Sequence, residues 1–328
     1  MELIFKKLAQ LSASLVFFIL AATALVLYLS ARPAIEEFGL GFLFESRWGV
    51  EETRAQPVLS PNQVVDEMPV IDEQADALLD DDFIDDEDDF VGDDDDESSG
   101  DTRIVYGALV PIVGTLFSTL IAMFFSIPIA MGIAVFLSEI APKLLAKPVG
   151  VAIELLASIP SIIYGMWGLF YFGPFIAGIF GGNTVSLLVA GLVLGIMVIP
   201  FMAALSRDAI STVPDMLKES AYAMGATKLE VIKDVVFPYA KSGIIGSIIL
   251  SFGRALGETM AVAFVIGGVY QFVGKVTDPT NSIPVVLANS FAESSGLSLS
   301  VLFYLALILF AMSFIVIAVA KFFFLRRK

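Results

Sequence analysis

Residues 219–238 read ESAYAMGATKLEVIKDVVFP and lie between two long apolar runs in a chain whose charges are otherwise scarce. Thr227 followed by Glu230 has the spacing of a capping box, and Thr212 followed by Asp215 offers an earlier start of the same kind. Gly225 falls between the two predicted helices, where a helix end calls for a residue free to adopt positive φ. In the second helix, Leu229, Ile232 and Val236 share one face and Lys228 and Lys233 another. Pro238 then stops the helix before the next apolar run. An amphipathic hairpin of this kind either lies in a membrane interface or presents an apolar ridge to a groove on a partner.

The composition around it is that of a membrane protein. Of 328 residues, 57% are hydrophobic and 16% charged, and mean hydropathy is +0.85. The formal charge of −16 is local: 19 of the 35 acidic residues fall between Asp66 and Asp101, where there is no Lys or Arg, and the rest of the chain carries +3. That segment has the repulsive, aromatic-poor composition of a solvated, disordered insertion, and no EF-hand register fits its glycines. Cysteine and histidine are absent, which removes thiolate chemistry, Cys/His metal sites and the usual neutral-pH general base. Neither a catalytic constellation, a metal site, a cofactor nor a nucleic-acid partner is indicated.

Six segments of spanning length follow, at about 11–31, 107–137, 150–172, 184–205, 243–268 and 299–322. All are expected to be helical, since lipid-exposed backbone must satisfy its own hydrogen bonds. No charge interrupts Leu155 to Ser206, and the breakers at 172–175 and 181–184 divide it into two spans. With six crossings, Lys6 and Lys7, Lys143 and Lys147, the five bases from Arg207 to Lys241, and the basic C-terminus all fall on one side. The positive-inside rule makes that side cytoplasmic, together with both termini and the hairpin. Three regions result: 1–33 with the first span, an external loop 34–103 holding the acidic insertion, and a core 104–328 with spans 2–6 and the loop at about 207–240. The expected fold class is an all-α polytopic membrane protein.

Glu219, Ala221, Gly225 and Pro238 stand as E-x-A-x-x-x-G, nine residues, then VVFP. This resembles the EAA loop of ABC importer permeases, with Ser220, Val235 and Phe237 as mild departures. The strings at 114–139, 154–170 and 252–268 are similar to phosphate-uptake permeases of the PstC type. The resemblance implies the type I importer permease fold and a loop that seats in two copies of a cytoplasmic ATPase subunit. It also implies a second permease of the PstA type, a periplasmic phosphate-binding protein and a place in the bacterial inner membrane. Consistent with that division of labour, the chain contains no G-x-x-x-x-G-K-[ST] phosphate cradle. A permease for molybdate, sulfate or phosphonate, a membrane-embedded enzyme and a non-transporting scaffold are the alternatives.

Ionisable groups inside spans cost about 2.5–3.5 kcal/mol each at the helix centre, so each calls for a reason. Arg254 and Glu258 are four apart on the fifth span, where they either neutralise each other as a packing pair or line a transport path. An arginine's forked donors match a tetrahedral oxyanion, and the resemblance points to the same two residues. Glu154 is expected at the start of the third span, favoured there by the helix dipole. Ser158, Ser161 and Tyr164 flank Pro160 as a kinked, hydroxyl-bearing stretch that is a candidate for lining the path. Gly246, Gly253 and Gly257, with Gly267 and Gly268, are expected to keep the fifth span thin for close packing.

Overall fold

The structure is a computed structural model that describes residues 2–53 and 102–325. The acidic insertion and the last three basic residues lie outside the described residues. The chain divides into two units, 1–48 with 106–328, and 49–105. The smaller unit is described through two paired strands, β1 (Trp48–Thr53) and β2 (Thr102–Tyr106).

The larger unit is helical. Its elements in chain order are α1 (Glu2–Phe38), α2 (Leu109–Val135), α3 (Lys143–Ala157), α4 (Ser161–Trp167), α5 (Gly173–Phe180) and α6 (Leu187–Ser211). They continue with α7 (Asp215–Ala223), α8 (Lys228–Glu230), α9 (Phe237–Leu256), α10 (Met260–Ala263), α11 (Ile283–Ser290) and α12 (Gly296–Leu325). Six stretches are long and apolar enough to cross a membrane: Phe5–Leu43, Leu109–Ile140, Ser161–Phe180, Leu187–Ser211, Lys228–Leu256 and Gly296–Phe322.

The central helix is α6, whose main partner is α2. Between helices in hydrocarbon there is little hydrophobic gain, so association rests on close packing and on interhelical hydrogen bonds worth about 1 kcal/mol. The sequence meets both needs. A Cβ on Gly191 would sit 2.6 Å from Ile121 Cγ2, so the two backbones approach closely only because this position is bare. The Ser126 hydroxyl lies 2.6 Å from the Ala122 carbonyl and 2.9 Å from that of Gly195, stitching α2 to α6. On the other side of α6, Ser206 and Ser247 join it to α9 through a 2.6 Å hydroxyl contact.

Two expected spans are displaced. The third does not run 150–172, because the chain breaks at Ser158–Pro160; α3 becomes a separate helix and the span begins at Ser161. The fifth does not run 243–268. It starts at Lys228 and stops at Leu256, and the following 26 residues form α10 and an irregular segment whose buried parts are Ala261–Ile266 and Thr280–Ser282. There Val262, Val265 and Ile266 join the main apolar core, and Ala261 and Phe264 press against the bare Gly165 of α4. This irregular backbone is tolerated because it is bonded. Val265, Val276 and Asp278 supply carbonyls to the N–H groups of Ser186, Leu188 and Leu187, which caps the start of α6.

Two proline signals were expected to end helices, and neither does. Pro174 and Pro238 each follow a π-helical segment, Gly168–Phe172 and Val231–Val236, where i→i+5 bonding widens the turn. Each proline then enters at the first turn of the next α segment, where its missing N–H costs least. The chain turns instead at Gly181 and Gly182, with φ of +71° and +89°. Of the predicted glycine stripe, Gly253 packs on Ile317 of α12, while Gly257 caps α9 and Gly267 and Gly268 lie in the irregular segment.

At Gly114, a Cβ would lie 1.9 Å from the backbone oxygen of Asn281. Gly114→Ala should therefore destabilise the fold by about 1–3 kcal/mol through overpacking. Thermal unfolding in detergent should show a clear fall in Tm for this variant.

Candidate functional site

The hairpin at 212–237 is built from both sides inward. Helix α7 ends in a Schellman motif: Ala226 N–H bonds the Ala221 carbonyl at 3.1 Å and Gly225 N–H that of Tyr222 at 2.9 Å, with Gly225 at φ +89°. The Thr227–Glu230 capping box then starts α8, with Thr227 N–H donating to the Glu230 carboxylate at 2.7 Å. The earlier box does not form, because Thr212 closes α6 by donating to the Ala209 carbonyl, and Pro214 precedes α7.

The two faces of the hairpin differ sharply. Ala221, Val231 and Val236 are buried in a cluster with Val213, Ala134 of α2 and Ile210 of α6. Met216, Met224 and Leu229 point away, 74%, 85% and 74% exposed, with Glu219 and Gly225 exposed beside them. Leu229 therefore does not share a face with the buried Ile232 and Val236 as its spacing predicts. The wide turn beginning at Val231 breaks the 3.6-residue register between them. Pro238 is exposed at the start of α9, continuous with the hairpin's second arm.

The second candidate region is the pair of helix breaks around Pro160 and Gly257. At the first, the Ser158 hydroxyl donates to the Leu155 carbonyl at 2.7 Å and the Tyr164 hydroxyl to that of Leu156 at 3.1 Å. The same two carbonyls also accept the Ser158 and Ile159 backbone N–H groups, so the hydroxyls add a second bond to each at the end of α3. Ser161 opens α4.

At the second break the expected Arg254–Glu258 pair does not form. Helix α9 ends at Leu256 with Gly257 as its cap, so residues 254 and 258 no longer share a helical face. The Glu258 carboxylate instead accepts the Ala261 N–H at 3.3 Å. Arg254 is exposed and lies over the Phe201 ring at 5.1 Å. The structure thus sets Arg254 against Phe201 and Glu258 against the start of α10.

Glu154 also departs from expectation. It lies in the last turn of α3, where the helix dipole disfavours a carboxylate, and is held by Arg207 of α6 at 2.7 Å. A second long-range pair joins Lys218 of α7 to Glu139, which follows α2, at 2.6 Å. These partners are 53 and 79 residues apart, beyond the reach of any local spacing rule.

Residues 105–327 match the family model for binding-protein-dependent transport system inner membrane components. The chain belongs to that family. It is a membrane component of a transport system, with the type I ABC importer permease fold. Among its relatives, the phosphate transport system permease protein PstC of Haemophilus influenzae is 38% identical over 98% of this chain and 92% of its own length. The protein of the same name from Xylella fastidiosa strain 9a5c is 47% identical over 67% of this chain and 74% of its own. Two solved structures share the fold at low identity. One is an inward-facing MetNI methionine ABC transporter, with TM-score 0.50 and 22% identity, covering 64% of this chain and 92% of that one. The other is a bacterial ABC transporter involved in import of the acidic polysaccharide alginate, with TM-score 0.52 and 14% identity over 66% and 79%.

Replacing Thr227 by alanine removes the side-chain acceptor of the capping box and should cost about 1 kcal/mol. Hydrogen exchange should show faster opening at residues 228–231, with spans 2 and 4 of the permease unchanged.

Proposed function

We propose that this chain is one of two permease subunits of an ATP-driven importer of inorganic phosphate. Identity of 38% along nearly the whole length of a named phosphate permease carries the choice of substrate. The hairpin supports the mode of action. Its inner face is committed to α2 and α6, while three large apolar side chains face outward at its tip. Exposed apolar groups grouped on a rigid element mark a protein-docking surface, and the occupant proposed here is a cytoplasmic ATPase subunit. ATP-driven movement of that subunit would shift the hairpin, and with it the bundle, between two packings. The outward residues Glu219 and Gly225 belong to the seat, and Ala221 and Pro238 to its attachment.

The remaining assignments follow the same reading. Six crossings with the basic clusters on one side put both termini and the hairpin in the cytoplasm of a bacterium, and the chain in its inner membrane. The regions 1–33, 34–103 and 104–328 are then first span, external loop and permease core. A second permease of the PstA type, two ATPase copies and a periplasmic phosphate-binding protein complete the complex.

Arg254 is the proposed contact for the anion. An arginine exposed on a span is costly against lipid, so it faces a hydrated path or the second permease. It lies over the Phe201 ring at 5.1 Å, and no ion pair to a carboxylate is found for it among the described residues. Ser158 and Ser161 lie at the same helix break, and broken helices are where transporters place binding sites. Glu258 keeps the short α10 start in place beneath the arginine's helix.

Two outcomes test this function. Arg254→Gln should leave assembly intact and lower phosphate uptake into reconstituted vesicles by about tenfold or more, as expected for loss of a charge-assisted contact; undiminished uptake would remove it from the path. Gly225→Val forces a β-branched residue to positive φ at a position with no neighbour within 4 Å. Membrane insertion should persist while ATP-coupled uptake is lost; normal uptake in this variant would contradict the docking role.

A further inference from the structure

We propose that the Glu139–Lys218 ion pair is a strut that carries displacement of the hairpin into α2, and so is a positioning element for coupling ATP use to transport. The inference rests on the reading of the hairpin as the ATPase seat and names how that seat is tied to the spans.

The pair is short, at 2.6 Å, and nearly enclosed, with side chains 16% and 8% exposed. Glu139 lies in the π-helical end of the second span, Phe136–Ile140, closed by an i→i+5 bond from Ala141 to Phe136 at 2.7 Å. Segments of that kind recur at functional positions because they re-aim a side chain out of helical register. Lys218 lies one turn before Ala221 on α7, so both point inward, Ala221 into the apolar cluster and Lys218 to Glu139. Asp215, 88% exposed and 3.8 Å from Lys218, is the weaker partner at the rim.

A buried ion pair is poor evidence for stability, since apolar groups of like volume often serve as well. What it supplies is a fixed distance and direction between two elements. Apolar contacts let α7 slide on α2; a desolvated charge pair resists being drawn apart, because either charge alone is left uncompensated.

The load path beyond it is continuous. Helix α2 is locked to α6 by the bare Gly191 and by Ser126 bonding Gly195. Arg207 of α6 holds Glu154 in the last turn of α3, next to the break leading to Tyr164. A crevice of about 620 Å³ lies between the two ion pairs, lined by all four of these charged residues with Lys147 and the buried, unbonded Ser138 hydroxyl. The crevice leaves room for α3 and α7 to move relative to one another while the two struts keep their lengths.

The test uses the full complex in vesicles, with ATP hydrolysis and phosphate uptake read in the same preparation. Lys218→Met and Glu139→Gln should assemble and hydrolyse ATP, while phosphate moved per ATP falls by about tenfold, within the range seen for coupling residues. Lys218→Arg, and the exchanged pair Glu139→Lys with Lys218→Glu, should recover most of that ratio. Should the single variants assemble poorly, the natural absence of cysteine permits Glu139→Cys with Lys218→Cys, in which a short thiol cross-linker should raise the ratio. The proposal is overturned if Lys218→Met keeps the wild-type ratio, or if neither the exchanged pair nor the tether recovers it. A wild-type complex that takes up no phosphate would instead count against the function proposed above.

Discussion

Ala221, Val231 and Val236 pack the inner face of the hairpin against Ala134 of α2 and Ile210 of α6, and the rest of the molecule's mechanics depends on that contact. A hairpin attached only through its two chain connections would swing freely. Buried on one side and joined directly to α9 by a continuous helix, it moves only with the spans it touches. The second arm is the base of the fifth span itself, with a π-helical turn where a stop was expected.

The bundle answers with close contacts where it must transmit and irregular backbone where it must yield. Helices α2 and α6 meet through glycine and a shared serine bond, an arrangement that leaves little freedom to slide. The third span instead begins and the fifth ends at a break, at Pro160 and Gly257, where Ser158, Tyr164 and Glu258 bond the broken ends. Interruptions of this kind inside a membrane protein are sustained where protein or water covers them. On the proposed function they border the path of the anion, with Arg254 between them.

Much of this was legible in the residues. Runs of apolar sequence gave the number of spans and placed four of the six, because twenty-residue length is imposed by the bilayer, and the Thr227–Glu230 box and Gly225 were realised as read. What failed has separate causes. Proline was read as a stop at Pro174 and Pro238 and as a mere kink at Pro160. At Pro174 and Pro238 the helix continues through a preceding π turn, and at Pro160 it breaks, with the Ser158 hydroxyl reaching back to the end of α3. The Arg254–Glu258 pair failed with the helix that was to carry it, since an i,i+4 argument holds only while the helix runs. The ion pairs Glu154–Arg207 and Glu139–Lys218 had no local signature, because tertiary packing alone brings their elements together.

The central claim is that the outward face of the hairpin seats a cytoplasmic ATPase. Because the chain has no cysteine, Leu229→Cys is a unique thiol at the tip of that face, and its cross-linking within the intact complex is the most direct measurement. The account predicts an adduct with the ATPase subunit whose yield changes on adding ATP. Labelling of the same thiol by an impermeant reagent applied from outside the cell, with no adduct to any ATPase subunit, would contradict it.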